Sequence, residues 1–289
     1  MSNPELLVAG SIALDTLEGP YGRVTGELGG SALYFALAAS LVAPVQVLAP
    51  VGADAAERVR QVLAGRAVDL AGLQVLDAPT YRWSARAVAG RNQDLGNRDS
   101  IYDAWQPVPP AAFGGWAFAG SMRPDRQFQV VDGLRGAALV AADAMLSYTA
   151  AQPRLLPRIL EAVDWFFCNH AEFEALGGGE PDAFRRRWGL AGLVLKDGPH
   201  GVTAYSGAGA EHVAAVGGRP VVDTTGAGDT LAGGMLACWG ATGGGRGDLR
   251  EALRWGVACA SLAIEAVGVQ GIARATPEVL AERLREVPA

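Results

Sequence analysis

The sequence predicts an α/β protein of three layers, a mainly parallel central sheet between helices, with a small β-sheet lid. Three observations predict it. Short apolar runs at 6–9, 45–51, 116–120, 138–142, 165–168 and 193–196 are separated by stretches long enough for helices, and strands alternating with helices pair in parallel. Residues 223–230, DTTGAGDT, join an expected strand at 220–222 to a small, apolar, glycine-rich segment at 231–239 that reads as a buried helix. Residues 79–88 alternate, with Tyr81, Trp83, Ala85 and Ala87 on one face and Arg82, Ser84 and Arg86 on the other. Period two means a half-exposed strand.

The chain of 289 residues suits one doubly wound domain. Half of it is hydrophobic (50%) and 19% is charged, enough apolar surface for a large core and against disorder. A net charge of −6 and a pI of about 5.2 argue against nucleic acid as a partner. The basic run Arg185-Arg186-Arg187 reads as a solvated helix face. Cys168, Cys238 and Cys259 stand far apart in apolar surroundings, without metal-ligand spacing, and read as core. The longest apolar run, 33–43, is shorter than the roughly 20 residues a bilayer requires. With no signal-peptide pattern either, the expectation is a cytoplasmic protein with no membrane partner.

In chain order, the strand at 6–9 ends in Gly10, and Asp15 follows five residues later. A carboxylate just past such a strand lies where open α/β sheets bind ligands; Asp15 reads either as a ligand contact or as a turn residue. Gly29-Gly30-Ser31 then opens a buried helix at 32–43. Residues 45–51 read as a strand and 54–64 as a helix capped by Asp54. The polar stretch 90–100 reads as turns, with a return strand at 101–105. Tyr81 and Trp83 need a surface to cover them, whether substrate, the main domain or a second subunit.

Beyond the proline-rich break at 107–110, Asp143 and the run Asn169-His170-Ala171-Glu172 sit at strand ends that could face a site. Asn169 also fits a helix cap, with Glu172 in the first turn, and His170 reads as structural. Lys196 ends a strand leading into the turn 197–201 and reads either as a phosphate charge or as a solvated lysine. Residues 251–267 form the last long apolar helix.

In DTTGAGDT, the turn of Gly226, Ala227 and Gly228 aims consecutive backbone N–H groups above a helix N-terminus, which makes an anion cradle. Asp229 stands in the first helical turn. An anion hole beside a base suits phosphoryl transfer to an alcohol, although Asp is also a common cap. The Walker A pattern does not occur.

DTTGAGDT resembles the Asp-Thr-x-Gly-Ala-Gly-Asp signature of the ribokinase-like carbohydrate and nucleoside kinases of the phosphofructokinase B type. The resemblance implies a ribokinase-like fold over residues 1–289, with lid strands inserted around 16–28 and 79–105. It implies ATP as co-substrate and phosphorylation of a hydroxyl on a sugar, nucleoside or related polyol. By the same resemblance Asp229 is the base beside the Gly226–Gly228 amides, and Asp15, Gly29 and Gly30 bind acceptor hydroxyls. Lys196, Gly198, Gly201 and Asn169 then contact the nucleotide, and Glu172 and Asn169 form the magnesium environment, through water. The turn carbonyls of Asp223 and Thr225 would hold a monovalent cation, potassium. A homodimer through the lid is expected. One departure stands out: residues 31–36 read Ser-Ala-Leu-Tyr-Phe-Ala where many members carry an Asn. A non-catalytic sugar or nucleotide sensor on this scaffold is the alternative, disfavoured by the intact Asp229.

Overall fold

Leu6–Ala9 (β1) sends Leu6 and Val8 into one hydrophobic cluster and Leu7 and Ala9 into another, all four buried. A strand covered on both faces needs a helical layer on each side. The computed structural model, which describes residues 5–88, 91–245 and 248–288, supplies both.

The chain runs on through Ala13–Gly19 (β2), Gly22–Gly29 (β3), Ser31–Ala39 (α1), Val45–Gly52 (β4), Ala56–Leu63 (α2) and Val68–Leu76 (β5). Arg82–Val88 (β6), Arg91–Arg98 (β7), Ile101–Ala104 (α3), Trp116–Ala119 (β8), Pro124–Gly133 (α4) and Leu139–Asp143 (β9) follow. Then come Leu146–Ala151 (α5), Leu155–Leu160 (α6), Trp165–Asn169 (β10), His170–Ala175 (α7), Pro181–Arg187 (α8) and Gly192–Lys196 (β11). The rest is Val202–Ser206 (β12), Gly209–Val213 (β13), Ala227–Ala241 (α9), Leu249–Ala263 (α10), Gln270–Ala273 (α11) and Pro277–Glu286 (α12).

Among the described residues the large sheet has nine strands in the order β13-β12-β11-β10-β9-β8-β1-β4-β5. It is parallel from β11 to β5, and at the other edge β12 pairs antiparallel with both β11 and β13. The chain winds from β1 through β4 to β5 on one side and resumes with β8 on the other. Between β1 and β8 the winding reverses, the point where sheets of this kind open a crevice at their carboxyl ends.

α1, α2, α9, α10 and α12 cover one face, and α4 to α8 the other. α9 is glycine-rich because it is sandwiched: a β-carbon on Gly234 would press on Cys259 Sγ of α10 at 2.6 Å. A second sheet of four strands, β3-β2-β6-β7, grows directly from β1 through β2.

Four expectations are corrected. The return strand of the lid is β7, at Arg91–Arg98, whereas 101–105 contains the short helix α3. β7 lies on the outer edge, largely exposed, so its polar sequence suits it; Ile101, Tyr102 and Trp105 are instead fully buried beside Tyr81. Residues 220–222 are extended but unpaired in any sheet; Val222 and Asp223 donate their N–H groups to the Ile264 carbonyl at the end of α10. Asp54 does not cap α2: its carboxylate accepts from the Thr80 backbone N–H and hydroxyl and pairs with Arg82. The edge strands β5 and β13 carry no clean pattern, since half their side chains meet solvent.

The first residue of the turn expected at 90–100, Gly90, lies outside the described residues. No helix among the described residues is long and apolar enough to cross a membrane.

Candidate active site

The carboxyl ends of β1, β9, β10 and β11 and the first turns of α1 and α9 converge on one crevice. Two hydroxyls weld the β1 end to α1: the Ser11 N–H donates to Ser31 Oγ at 3.0 Å, and the Ser31 N–H donates to Ser11 Oγ at 3.0 Å. Gly30 turns the chain there at φ +98°, and a β-carbon on it would run into the Ser11 backbone. The helix entry therefore needs glycine.

The turn before α9 takes its shape from Asp223. Its Oδ1 accepts from the Thr225 N–H and hydroxyl, and its Oδ2 accepts from the Gly268 N–H at 2.9 Å. With both oxygens engaged, the Asp223 side chain holds the turn. Gly226 adopts φ +72° as the residue before α9, so the N–H groups of the next residues open the helix N-terminus.

Asp229 stands in that first turn with its Oδ1 buried and unpartnered. Burial raises its carboxyl to about 6, opposed first by Lys196 and reinforced by Glu172. Lys196 ends β11 and points into the same turn, with its Nζ 2.8 Å from where a β-carbon on Gly228 would stand. Burial alone would push the ammonium down, but Glu172, Asp143 and Asp229 together hold it above its ordinary value. The arrangement is an anion-binding helix N-terminus, a fixed positive charge and a carboxylate poised between its two forms. That set can hold a phosphate and take a proton from an alcohol.

Asn169 and Glu172 form a reciprocal capping box on α7: the Glu172 N–H donates to Asn169 Oδ1, and the Asn169 N–H donates to Glu172 Oε2. Glu172 is buried, which raises its carboxyl, and the nearby Lys196 is the first influence that opposes the rise. Asp143, at the end of β9, is also buried, with Oδ1 unpartnered, and is raised first by burial and then by Asp229. Among the described residues no three His, Cys, Asp or Glu side chains are grouped as a metal cage. The oxygen donors present do fit magnesium, which keeps waters and takes one or two carboxylates alongside phosphates.

Gly198 and Gly201 flank a single 3₁₀ turn after Lys196. A β-carbon on Gly201 would run into the Val213 carbonyl, so its need for glycine comes from the β12–β13 hairpin; Gly198 opens onto free space. His170 is exposed, 3.7 Å from Asp197.

Asp15 lies on β2, 1% exposed, at the other side of the crevice. Burial raises its carboxyl well above the usual range, Asp223 and Glu27 add to this, and the Trp83 backbone hydrogen bond opposes it. Its Oδ1 has no partner, and a β-carbon on Gly29 would run into its Oδ2. Gly29 thus lets β3 pass beside the carboxylate. Tyr81 of the lid packs on Tyr102, at 5.9 Å between ring centroids, so the main domain covers it.

Three residues escaped the reading of the sequence. Tyr34 is close enough to Asp15 and Asp229 that both charges act on it. The signal was a polar-tipped aromatic in a helix buried on every side. Asn92 on β7 donates to Thr225 Oγ1 at 2.8 Å, linking lid to turn; a polar edge strand gives no sign of that. Glu27 joins the Asp15 group through the β2–β3 pairing.

A family model described as pfkB family carbohydrate kinase matches residues 20–275. A cytidine kinase of Thermococcus kodakarensis is 29% identical over 247 residues, covering 81% of this chain and 87% of its own. The structure of a Methanocaldococcus jannaschii nucleoside kinase, an archaeal member of the ribokinase family, superposes with a TM-score of 0.79, 22% identity and 99% of each chain. The Burkholderia thailandensis nucleoside kinase in complex with inosine superposes at 0.80, with 22% identity over 97% of this chain and 96% of that one. The fold is the ribokinase-family fold.

Proposed function

The chain belongs to the pfkB family of carbohydrate kinases, and from that premise we propose that its acceptor is a nucleoside, phosphorylated on a ribose hydroxyl. The enzyme is an ATP-dependent kinase acting on a sugar or nucleoside. The choice of a nucleoside is supported by the likeness to the cytidine kinase along most of the chain. The observation that carries the chemistry is Asp229 beside Lys196 at the α9 N-terminus.

In this reading Asp15, beside Gly29 and Gly30, holds the acceptor's hydroxyls. Asp229 takes the proton of the attacking hydroxyl as the new O–P bond forms and the bond from the γ-phosphorus to the β-phosphate oxygen breaks, releasing ADP. The first-turn amides from Gly226 to Gly228 and the Lys196 ammonium stabilise the charge on the transferring group. Lys196, Asn169, Gly198 and Gly201 line the nucleotide side. Glu172 would hold magnesium, with Asn169 acting through water and Asp143 adding a second carboxylate. When bound, the metal neutralises charge on the phosphates. The carbonyls of Asp223 and Thr225 would hold potassium and so stiffen the anion turn. Use of ATP as co-substrate supports a cytoplasmic location, and the lid edge carrying the exposed Val88 and Leu95 supports a homodimer.

The test is ADP release, coupled to a dye-linked assay, over a panel of nucleosides and free sugars. Nucleoside turnover at least tenfold above that of any free sugar is expected. Turnover of sugars alone would refute the nucleoside assignment, and no turnover at all would return the sensor reading.

A further inference from the structure

Tyr34 sits in the first turn of α1 and is 1% exposed. Its ring lies flat against the anion turn, since a β-carbon on Gly226 would run into Cγ, Cδ1 and Cδ2. Glycine at 226 makes room for the ring, and the ring in turn fixes where the phenol hydroxyl stands. That hydroxyl is buried and has no hydrogen-bond partner.

A buried phenol without a partner is costly, and its surroundings make the vacancy specific. Burial first, and then Asp15, Asp223, Asp229 and Glu27, push it well above its ordinary value. The O–H therefore stays a donor at every working pH. Asp223 is already saturated by Thr225 and Gly268. Asp15 Oδ1 and Asp229 Oδ1, in contrast, are themselves buried and unpartnered. A donor and two acceptors are buried near one another, close enough for both charges to act on the phenol, without satisfying one another. An alcohol answers both needs at one oxygen, accepting from the phenol while donating to a carboxylate.

We infer that Tyr34 binds the acceptor and determines its specificity: its O–H donates to a hydroxyl whose own proton is donated to Asp15, which selects ligands bearing a further hydroxyl besides the one that reacts. The inference rests on the nucleoside reading for the identity of that ligand, a ribose, and on the geometry alone for the role of Tyr34.

The experiment compares the wild type with Tyr34→Phe, which keeps the ring against Gly226 and removes only the oxygen. The expected result is a rise of about tenfold in KM for the nucleoside, with KM for ATP within about twofold of the wild type. Tm should be unchanged or higher, because the oxygen removed had no partner. One of the 2′- and 3′-deoxynucleosides should cost the wild type a similar factor and cost Tyr34→Phe nothing further, since both changes delete one interaction. An unchanged nucleoside KM overturns the inference. So does a lowered Tm with both KM values moving together, or a variant that fails to fold, because each assigns the hydroxyl to the fold. If the wild type accepts only free sugars, the nucleoside reading fails separately, and the same comparison is run with that sugar and its deoxy forms.

Discussion

Lys196 and Gly228 meet at the mouth of α9, where the ammonium nitrogen stands 2.8 Å from the place a β-carbon would occupy on residue 228. The contact puts a positive charge directly against the amides of the anion turn. It also ties the charge of Asp229 to a residue on a different element, since Lys196 is the main influence holding the Asp229 carboxyl down against burial.

The pH profile reports that coupling. Asp229 works ionised, so kcat/KM should fall below about pH 6, with a slope of one, as its carboxyl takes up a proton. In Lys196→Met the main opposing charge is gone while burial and Glu172 still act, so the acidic limb should move to higher pH. KM for ATP should rise as well. A limb that stays in place in the variant would assign it to another group.

Asp229→Asn removes the base in a nearly isosteric change and should lower kcat by about 10²–10⁴ with ATP affinity retained. Stability should move the other way. The folded carboxyl titrates near 6, above its ordinary 3.8, so the stability its neutral form contributes is complete at low pH and is lost as pH rises through that window. The variant escapes this loss and should show a higher Tm than the wild type at pH 7, with the difference vanishing near pH 3. Calorimetric scans across that range check the sign.

Asp15→Asn should act on the acceptor alone. A carboxylate hydrogen bond to a hydroxyl contributes about 1.5–3 kcal/mol, so acceptor KM should rise roughly 10- to 150-fold while KM for ATP stays put. Equal effects on both substrates, with a lower Tm, would assign the Asp15 carboxylate to the fold of β2 and not to the acceptor.

The bond from Asn92 to Thr225 fastens the lid to the turn that shapes the anion hole. Asn92→Ala should cost about 0.5–1.5 kcal/mol of that closure and raise acceptor KM severalfold. Hydrogen exchange of β7 should quicken in the variant; exchange equal to the wild type would show that the lid is held elsewhere.

Val88 and Leu95 are about half exposed near the lid edge, an apolar presentation that a second copy would cover. Sedimentation velocity should find a dimer at micromolar concentration, and Val88→Glu with Leu95→Glu should shift it to monomer. A monomeric wild type would end the dimer proposal.

The sequence by itself determined the parallel core. Strands buried on both faces are apolar along most of their length, so β1, β4, β8, β9, β10 and β11 announce themselves locally. It determined the turn from Asp223 to Asp229 as well, because a left-handed residue before a helix and a close approach by Lys196 both require glycine where glycine stands. Where an element is half solvated the signal fades. The polar β7 read as turns, and Ile101–Ala104 read as a strand although it is a helix packed beneath Tyr81. What only the tertiary structure decided is which charged and polar side chains share one space. Asp15, Tyr34, Asp143, Glu172, Lys196 and Asp229 come from distant parts of the chain, and the sheet order together with the placement of β2, α1, α7 and α9 brings them to one crevice. Their charges take meaning from burial and from one another: an Asp raised to about 6 and a Lys held protonated are properties of that assembly, because desolvation and Coulomb forces depend on distance in space and not on distance along the chain.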